Sequence, residues 1–211
     1  PTPYPKWHQH RVKLASGKFR VIRDSIRTCE DLRKWLVRLQ PLDCYHQCNP
    51  FLSPANVSFN EFDGKRAGFN ISNNLMLGDG VIILDTDFHD APFEKVNALA
   101  IKDYLNECGY QIAQTKFSGR GFQLLCTKHD LDLPQAHPKV RFKLYREKRA
   151  PLAKDLKHRG ISFDEGVLLN PKTVVRSVGT VNSKSGSVCT IVNSLENFSE
   201  LDVERVELAG W

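Results

Sequence analysis

The segment VIILDTDFHD, Val81 to Asp90, constrains the fold more than any other stretch of the chain. Four apolar residues, three of them β-branched, run directly into Asp85 and Asp87, and Asp90 follows three positions on. An apolar run of that kind predicts a buried strand. Side chains at i and i+2 of a strand share a face, so both carboxylates are expected to project together, roughly 6–7 Å apart. Two unpaired carboxylates that close repel, and one is driven toward protonation. A bound cation removes the conflict, and a pair of divalent ions about 3.5–4 Å apart can be served by such carboxylates. The competing assignment is a cap, because Asp at a strand end often opens a turn or a helix. Asp90 precedes APFEKVNALAIKDYLNECGY, which has helical periodicity and stops at Gly109.

A chain of 211 residues suits one large domain or two small ones and can bury a substantial core; a single domain is expected. We divide it into an N-terminal αβ part, about residues 1–80, and a core, about 81–195. Apolar content of 41% and charged content of 26% are ordinary for a globular protein. No apolar run approaches the ~20 residues that span a bilayer, and no secretory segment opens the chain. A cytoplasmic protein without a membrane partner is therefore expected. The first residue is Pro1, so the chain is either processed or a piece of a longer protein.

Net charge is +6, a mild lean toward polyanionic partners. Its distribution is uneven. Between Lys139 and Arg159, nine Lys or Arg stand against Glu147 and Asp155. The opening KVRFK alternates basic and apolar, which predicts a strand with Lys139, Arg141 and Lys143 on one face. That face is either a charged edge or a track for nucleic-acid phosphates.

Elsewhere, HRVKLASGKFRVI predicts two strands around a Ser-Gly turn. Thr28 is expected to cap a helix whose face is Leu32, Trp35, Leu36 and Leu39, ended by Pro41. A strand is expected in CYHQCNPF, then a long loop over 50–74, with room for a short strand. QIAQTKFSGRGFQLLCTK predicts two strands about a glycine turn, and a helix is expected near Pro151–His158. Irregular mixing of strands and helices predicts an α+β fold. Of the six cysteines, Cys126 and Cys189 fit buried free thiols, and Cys29 and Cys108 stand alone in helical patterns. Cys44 and Cys48 flank His46, but no second ligand pair stands at a zinc-site spacing, so no zinc is expected.

Three further groups carry chemistry. Ser118, Gly119, Arg120 and Gly121 form a turn in which glycine admits close approach, while Ser and Arg can bond phosphate oxygens. Glycines also serve hairpins for steric reasons alone. Asp164 ends an apolar-polar alternation in ISFDEG, with Glu165 expected on the opposite face. Arg176, Asn182, Ser183 and Lys184 sit around a Gly-Thr turn in VVRSVGTVNSKSG.

Taken in order, VIILDTD, FSGRGFQ, FDEG and RSVGTVNSKSG resemble the motifs of the archaeo-eukaryotic primase superfamily, above all those of the small catalytic subunit of primase. Matches run from about residue 44 to 190. The resemblance implies an RRM-like sheet beside an N-terminal αβ unit, in a mixed-sheet core whose active site lies in the cleft between them. It implies a DNA primase or primase-polymerase that adds nucleotides to a 3′ hydroxyl and can start primers. Asp85, Asp87 and Asp164 would hold two Mg²⁺ or Mn²⁺ ions. Ser118, Gly119, Arg120, Gln123 and Lys184 would grip the nucleotide, with Arg176 and Asn182 in support. Implied partners are single-stranded DNA template, primer and nucleoside triphosphates, together with a helicase, helical domain or large primase subunit. Gln123 stands where the family has His, and Val178 and Asn182 replace its Pro and His. The cysteine cluster of the family's zinc insertion has no counterpart here. Two rival functions remain open from sequence: a non-catalytic DNA-binding replication module and a two-metal nuclease.

Overall fold

The chain was analysed as a computed structural model, which describes residues 10–22, 26, 28–47, 59–62, 65–69, 82–86, 91–127, 138–171 and 173–207. β1 (His10–Lys13) and β2 (Phe19–Ile22) pair antiparallel around a turn at Gly17, whose φ of +75° is a left-handed value suited to glycine. α1 (Cys29–Leu39) opens with a capping box. The Thr28 hydroxyl accepts the Asp31 N–H, and the Asp31 carboxylate accepts the Thr28 N–H, each at 3.1 Å. The expected face, Leu32, Trp35, Leu36 and Leu39, packs on Val12, Ile22 and Cys44 of the first sheet. Gln40 then turns left-handed just before Pro41.

β3 (Asp43–Gln47) takes the free side of β1, and β9 (Val174–Arg176) pairs with β3 from far along the chain. The first sheet therefore runs β2-β1-β3-β9, antiparallel throughout. β6 (Ile82–Asp85), β7 (Gln111–Phe117), β8 (Phe122–Thr127) and β10 (Thr190–Ile191) form a second antiparallel sheet in the order β10-β7-β8-β6. α2 (Ala91–Glu107) joins β6 to β7, and Gly109 ends the turn after it with φ +76°. β4 (Phe59–Phe62) and β5 (Lys65–Phe69) form a hairpin where a loop with a short strand was expected. The α+β class expected from sequence is the class observed.

Alternation decides what each face of the second sheet meets. Ile82, Leu84, Leu124 and Cys126 enter the main core with Ala98, Ile101 and Leu105 of α2 and with Phe163 and Leu168. Phe117, Phe122 and Phe198 close that core, with ring centroids 5.0–5.4 Å apart. On the other face Ile83 is buried against Val175 of β9, with Leu125 and Val167 beside them. That small cluster ties the two sheets together. Cys126 and Cys189 are buried free thiols, as expected, and Cys29 is exposed.

Two expectations are corrected. Lys139, Arg141 and Lys143 do not share a strand face, because α3 (Pro138–His158) is one helix of 21 residues. At about 100° per residue, position 141 falls on roughly the opposite side from 139 and 143. Lys143 pairs with Glu147 one turn on, at 3.6 Å. The helix expected near Pro151–His158 is the second half of α3, which continues across Pro151. Its buried residues Tyr145, Arg149, Leu152, Ala153 and Leu156 follow helical spacing and decide the outcome. Asp164 does not end a strand either. It is the N-cap of α4 (Glu165–Leu169), and Glu165 in the first turn pairs with Lys157 at 2.6 Å. Among the described residues no helix is long and apolar enough to cross a membrane.

Candidate active site

Strand register puts two polar rows at one cleft. In the second sheet Lys116, Gln123 and Asp85 are partners across β7, β8 and β6. In the first sheet Phe19, Lys13 and Asp43 are partners across β2, β1 and β3. Asp85, Gln123, Phe19, Lys13 and Asp43 all line a cleft of about 360 Å³. Ser118, Arg120, Asn182 and Lys184 complete it, together with Tyr45, Val174 and Arg176. Seven residues singled out from separate motifs thus meet in one place: Asp85, Ser118, Arg120, Gln123, Arg176, Asn182 and Lys184.

Asp85 is 7% exposed at the end of β6. Gln123 Nε2 donates to its Oδ2 at 2.8 Å. Gln123 is thus directed at a carboxylate within the site. Its Oε1 is buried and has no hydrogen-bond partner among the described residues. Turning the amide over would set that oxygen against the Asp85 carboxylate, two acceptors facing each other, so the orientation is fixed by chemistry. Asp164 is adjacent to Asp85 through the backbone, its N–H donating to Asp85 O at 2.8 Å. The Asp164 carboxylate caps α4, accepting the Val167 N–H at 3.0 Å, and it remains exposed. Asp87 and Asp90, the latter expected to cap α2, lie outside the described residues.

The Ser118–Gly121 turn is built against the Asn182 loop. Ser118 donates both its N–H and its hydroxyl to Gly121 O, at 2.8 and 3.0 Å, so its proton staples the turn. Asn182 Nδ2 donates to Ser118 O at 3.0 Å, while its Oδ1 accepts the Lys184 N–H at 3.0 Å. One side chain therefore fixes Ser118 and Lys184 relative to each other. Gly119 has φ +100°, and a Cβ there would lie 2.6 Å from Asn182 Cβ. No side chain fits at that position.

Arg176 is engaged in the scaffold. Its Nη1 donates to Asp43 Oδ1 at 2.5 Å and to Val181 O at 3.1 Å, and its Nη2 bonds the Tyr45 hydroxyl at 2.9 Å. Asp43 also accepts the Ser183 hydroxyl at 2.6 Å and the Ser183 N–H at 2.9 Å, with Lys13 Nζ 3.9 Å away. Burial alone would push the Asp43 carboxyl up. The bonds from Ser183, with the bond and charge of Arg176, outweigh it and leave Asp43 below the usual carboxylate range. Lys116 is fully buried, and its ammonium donates to Arg176 O at 3.0 Å. Burial raises the Cys44 and Cys189 thiols, which sit beside this network.

Asp43, Lys13, Tyr45, Phe19 and Lys116 were not singled out from sequence. Asp43 had a signal, since it opens a strand as Asp85 closes one. For the others the signal is register, visible only once the strands are paired.

Asp85 and Asp164 carry hard carboxylate oxygens, the chemistry that Mg²⁺ and Mn²⁺ take, but Asp85 lines the cleft while Asp164 is not among its lining residues. Among the described residues no three carboxylate, His or Cys side chains converge, and both Asp87 and Cys48 lie outside them.

No family model matches the chain, and no curated protein matches it in sequence. Among solved structures, it is similar to the polymerase domain of Mycobacterium tuberculosis Ligase D in complex with DNA. Identity is 11%, coverage is 98% of this chain and 70% of that chain, and the TM-score is 0.49.

Proposed function

We propose that the chain is a DNA-templated nucleotidyltransferase of the primase-polymerase kind, extending a 3′ hydroxyl and able to start primers. The supporting observation is the shared cleft, whose lining holds Asp85 together with Arg120 and Lys184. A carboxylate and cations in one cleft match a metal-bound triphosphate, which carries both charges.

Asp85, Asp87 and Asp164 would hold two Mg²⁺ or Mn²⁺ ions, which supply charge to acidify the attacking hydroxyl and screen the leaving pyrophosphate. Arg120 and Lys184 bind phosphate oxygens, Arg120 through a planar fork and Lys184 as a point charge. The Lys184 backbone is held by Asn182, and donors at these positions would meet charge that grows at the phosphate. Gln123 orients the Asp85 carboxylate. Asn182 and Gly119 hold the turn and the Lys184 loop in register. DNA template, primer and nucleoside triphosphates are the partners, within the cell interior, with a helicase, helical domain or large subunit as further company.

The test is extension of a labelled primer on a DNA template with nucleoside triphosphates and Mn²⁺, then the same without primer. Wild type should extend. Asp85→Ala and Asp164→Ala should each lose about a hundredfold or more while circular dichroism stays unchanged. Degradation of the primer would make the protein a nuclease, and DNA binding without either reaction would make it a binding module. Both outcomes sink the proposal.

A further inference from the structure

Phe19 leaves 63% of its surface exposed, at the lining of the same cleft as Asp85, Arg120 and Lys184. It begins β2 directly after a tight turn, in which the Leu14 N–H donates to Lys18 O at 2.9 Å and the Gly17 N–H to Leu14 O at 2.8 Å. Its ring leans on Tyr45, with centroids 6.1 Å apart and planes at 50°. Tyr45 is itself locked, by the Arg176 bond to its hydroxyl at 2.9 Å and by the guanidinium 4.8 Å above its ring. Phe19 is therefore an exposed π face with a rigid backing, beside cations and facing a cleft.

We infer that Phe19 is the stacking platform for the base of the nucleotide held in this cleft, a step that rests on the nucleotidyltransferase reading above. A nucleotide joins a charged end to a flat one, and the cleft offers a match for both. Phosphates suit Arg120 and Lys184, and a flat base suits Phe19. Stacking is tolerant of base identity, because every base has a π face. A templated enzyme needs that tolerance in order to accept four different bases. A volume of about 360 Å³ lies at the small end of ligand sites and suits one mononucleotide rather than a strand.

The test compares a nucleoside triphosphate with inorganic tripolyphosphate, which has the charge and no base, both titrated in Mg²⁺ against the full chain. Phe19→Ala should weaken the nucleoside triphosphate about tenfold and leave tripolyphosphate affinity unchanged. Phe19→Trp should restore the tighter binding. An exposed ring can be removed without emptying the core, and circular dichroism checks that the variants fold. Unchanged nucleotide affinity in Phe19→Ala would overturn the inference while leaving the functional reading intact. So would equal losses for both ligands, or a loss seen with a single-stranded oligonucleotide alone. Failure of wild type to bind either triphosphate would overturn the functional reading and this inference with it.

Discussion

The two rows that meet at the cleft are built from similar parts and handle their carboxylates in opposite ways. In the first sheet Asp43 takes charged donors, Arg176 at 2.5 Å and Lys13 at 3.9 Å, and two bonds from Ser183. In the second, Asp85 accepts the neutral amide of Gln123, and Lys116 of the same row donates to Arg176 O. A buried carboxylate met by a guanidinium becomes part of the scaffold, with its charge spent inside the protein. Both aspartates are buried, so burial does not distinguish them; a guanidinium bonds the first and an amide bonds the second.

That contrast can be broken most forcefully at Arg176. Arg176→Ala leaves Asp43 buried without its guanidinium, and such a loss costs about 3–5 kcal/mol. Urea unfolding should show it as a shift in midpoint with little change in slope. If Arg176→Ala costs no more than a surface substitution, Asp43 is not a scaffold residue and the contrast with Asp85 fails.

A smaller effect should appear with pH. The Asp43 carboxyl is held below its ordinary value, so its stabilisation is complete above the unfolded value of about 3.9. It is lost as pH falls through the lowered folded value. The stability gap between wild type and Asp43→Asn should therefore be constant from about pH 6 to 5 and close below about pH 4. A gap that persists at pH 2 would assign the loss to packing rather than to charge.

The smallest expected effect lies at Gln123. Gln123→Leu removes one hydrogen bond to Asp85 and should cost about 1 kcal/mol of stability. Gln123→His sharpens the comparison further, since an imidazolium there would make the second row resemble the first. A His beside a carboxylate is protonated below a raised pKa, so nucleotide addition should fall relative to wild type as pH drops below about 7. Matching pH profiles for the two proteins would show that position 123 does not act on Asp85.

Local rules made much of this legible. The buried run ending in Asp85, the hairpin with its Ser118–Gly121 turn and the Thr28 cap each express chemistry within a few residues. The basic segment after Lys139 misled because alternation over five residues suits a strand, while the spacing of Tyr145, Arg149, Leu152 and Leu156 further on suits a helix. Asp164 misled because an aspartate before a short helix and one at a strand end look alike in sequence. Asp43 was silent for another reason. Its partners Arg176 and Ser183 lie 133 and 140 positions away, and no local pattern records a bond of that span.

The placement of β9 has a consequence for how the molecule is made. Chain emerging from a ribosome delivers β1, β2, α1 and β3 first, yet the outer edge of β3 is completed only by Val174–Arg176. Tyr45 and Arg176 stand 131 positions apart, and closing a loop of that length costs about 4 kcal/mol of chain entropy. Until then β3 presents unpaired backbone groups, the kind of edge on which neighbouring chains join. The Asp43 carboxylate waits equally long for its guanidinium. The chain through Lys184 must therefore be synthesised before the cleft is lined, so a shorter nascent fragment would lack one of its walls.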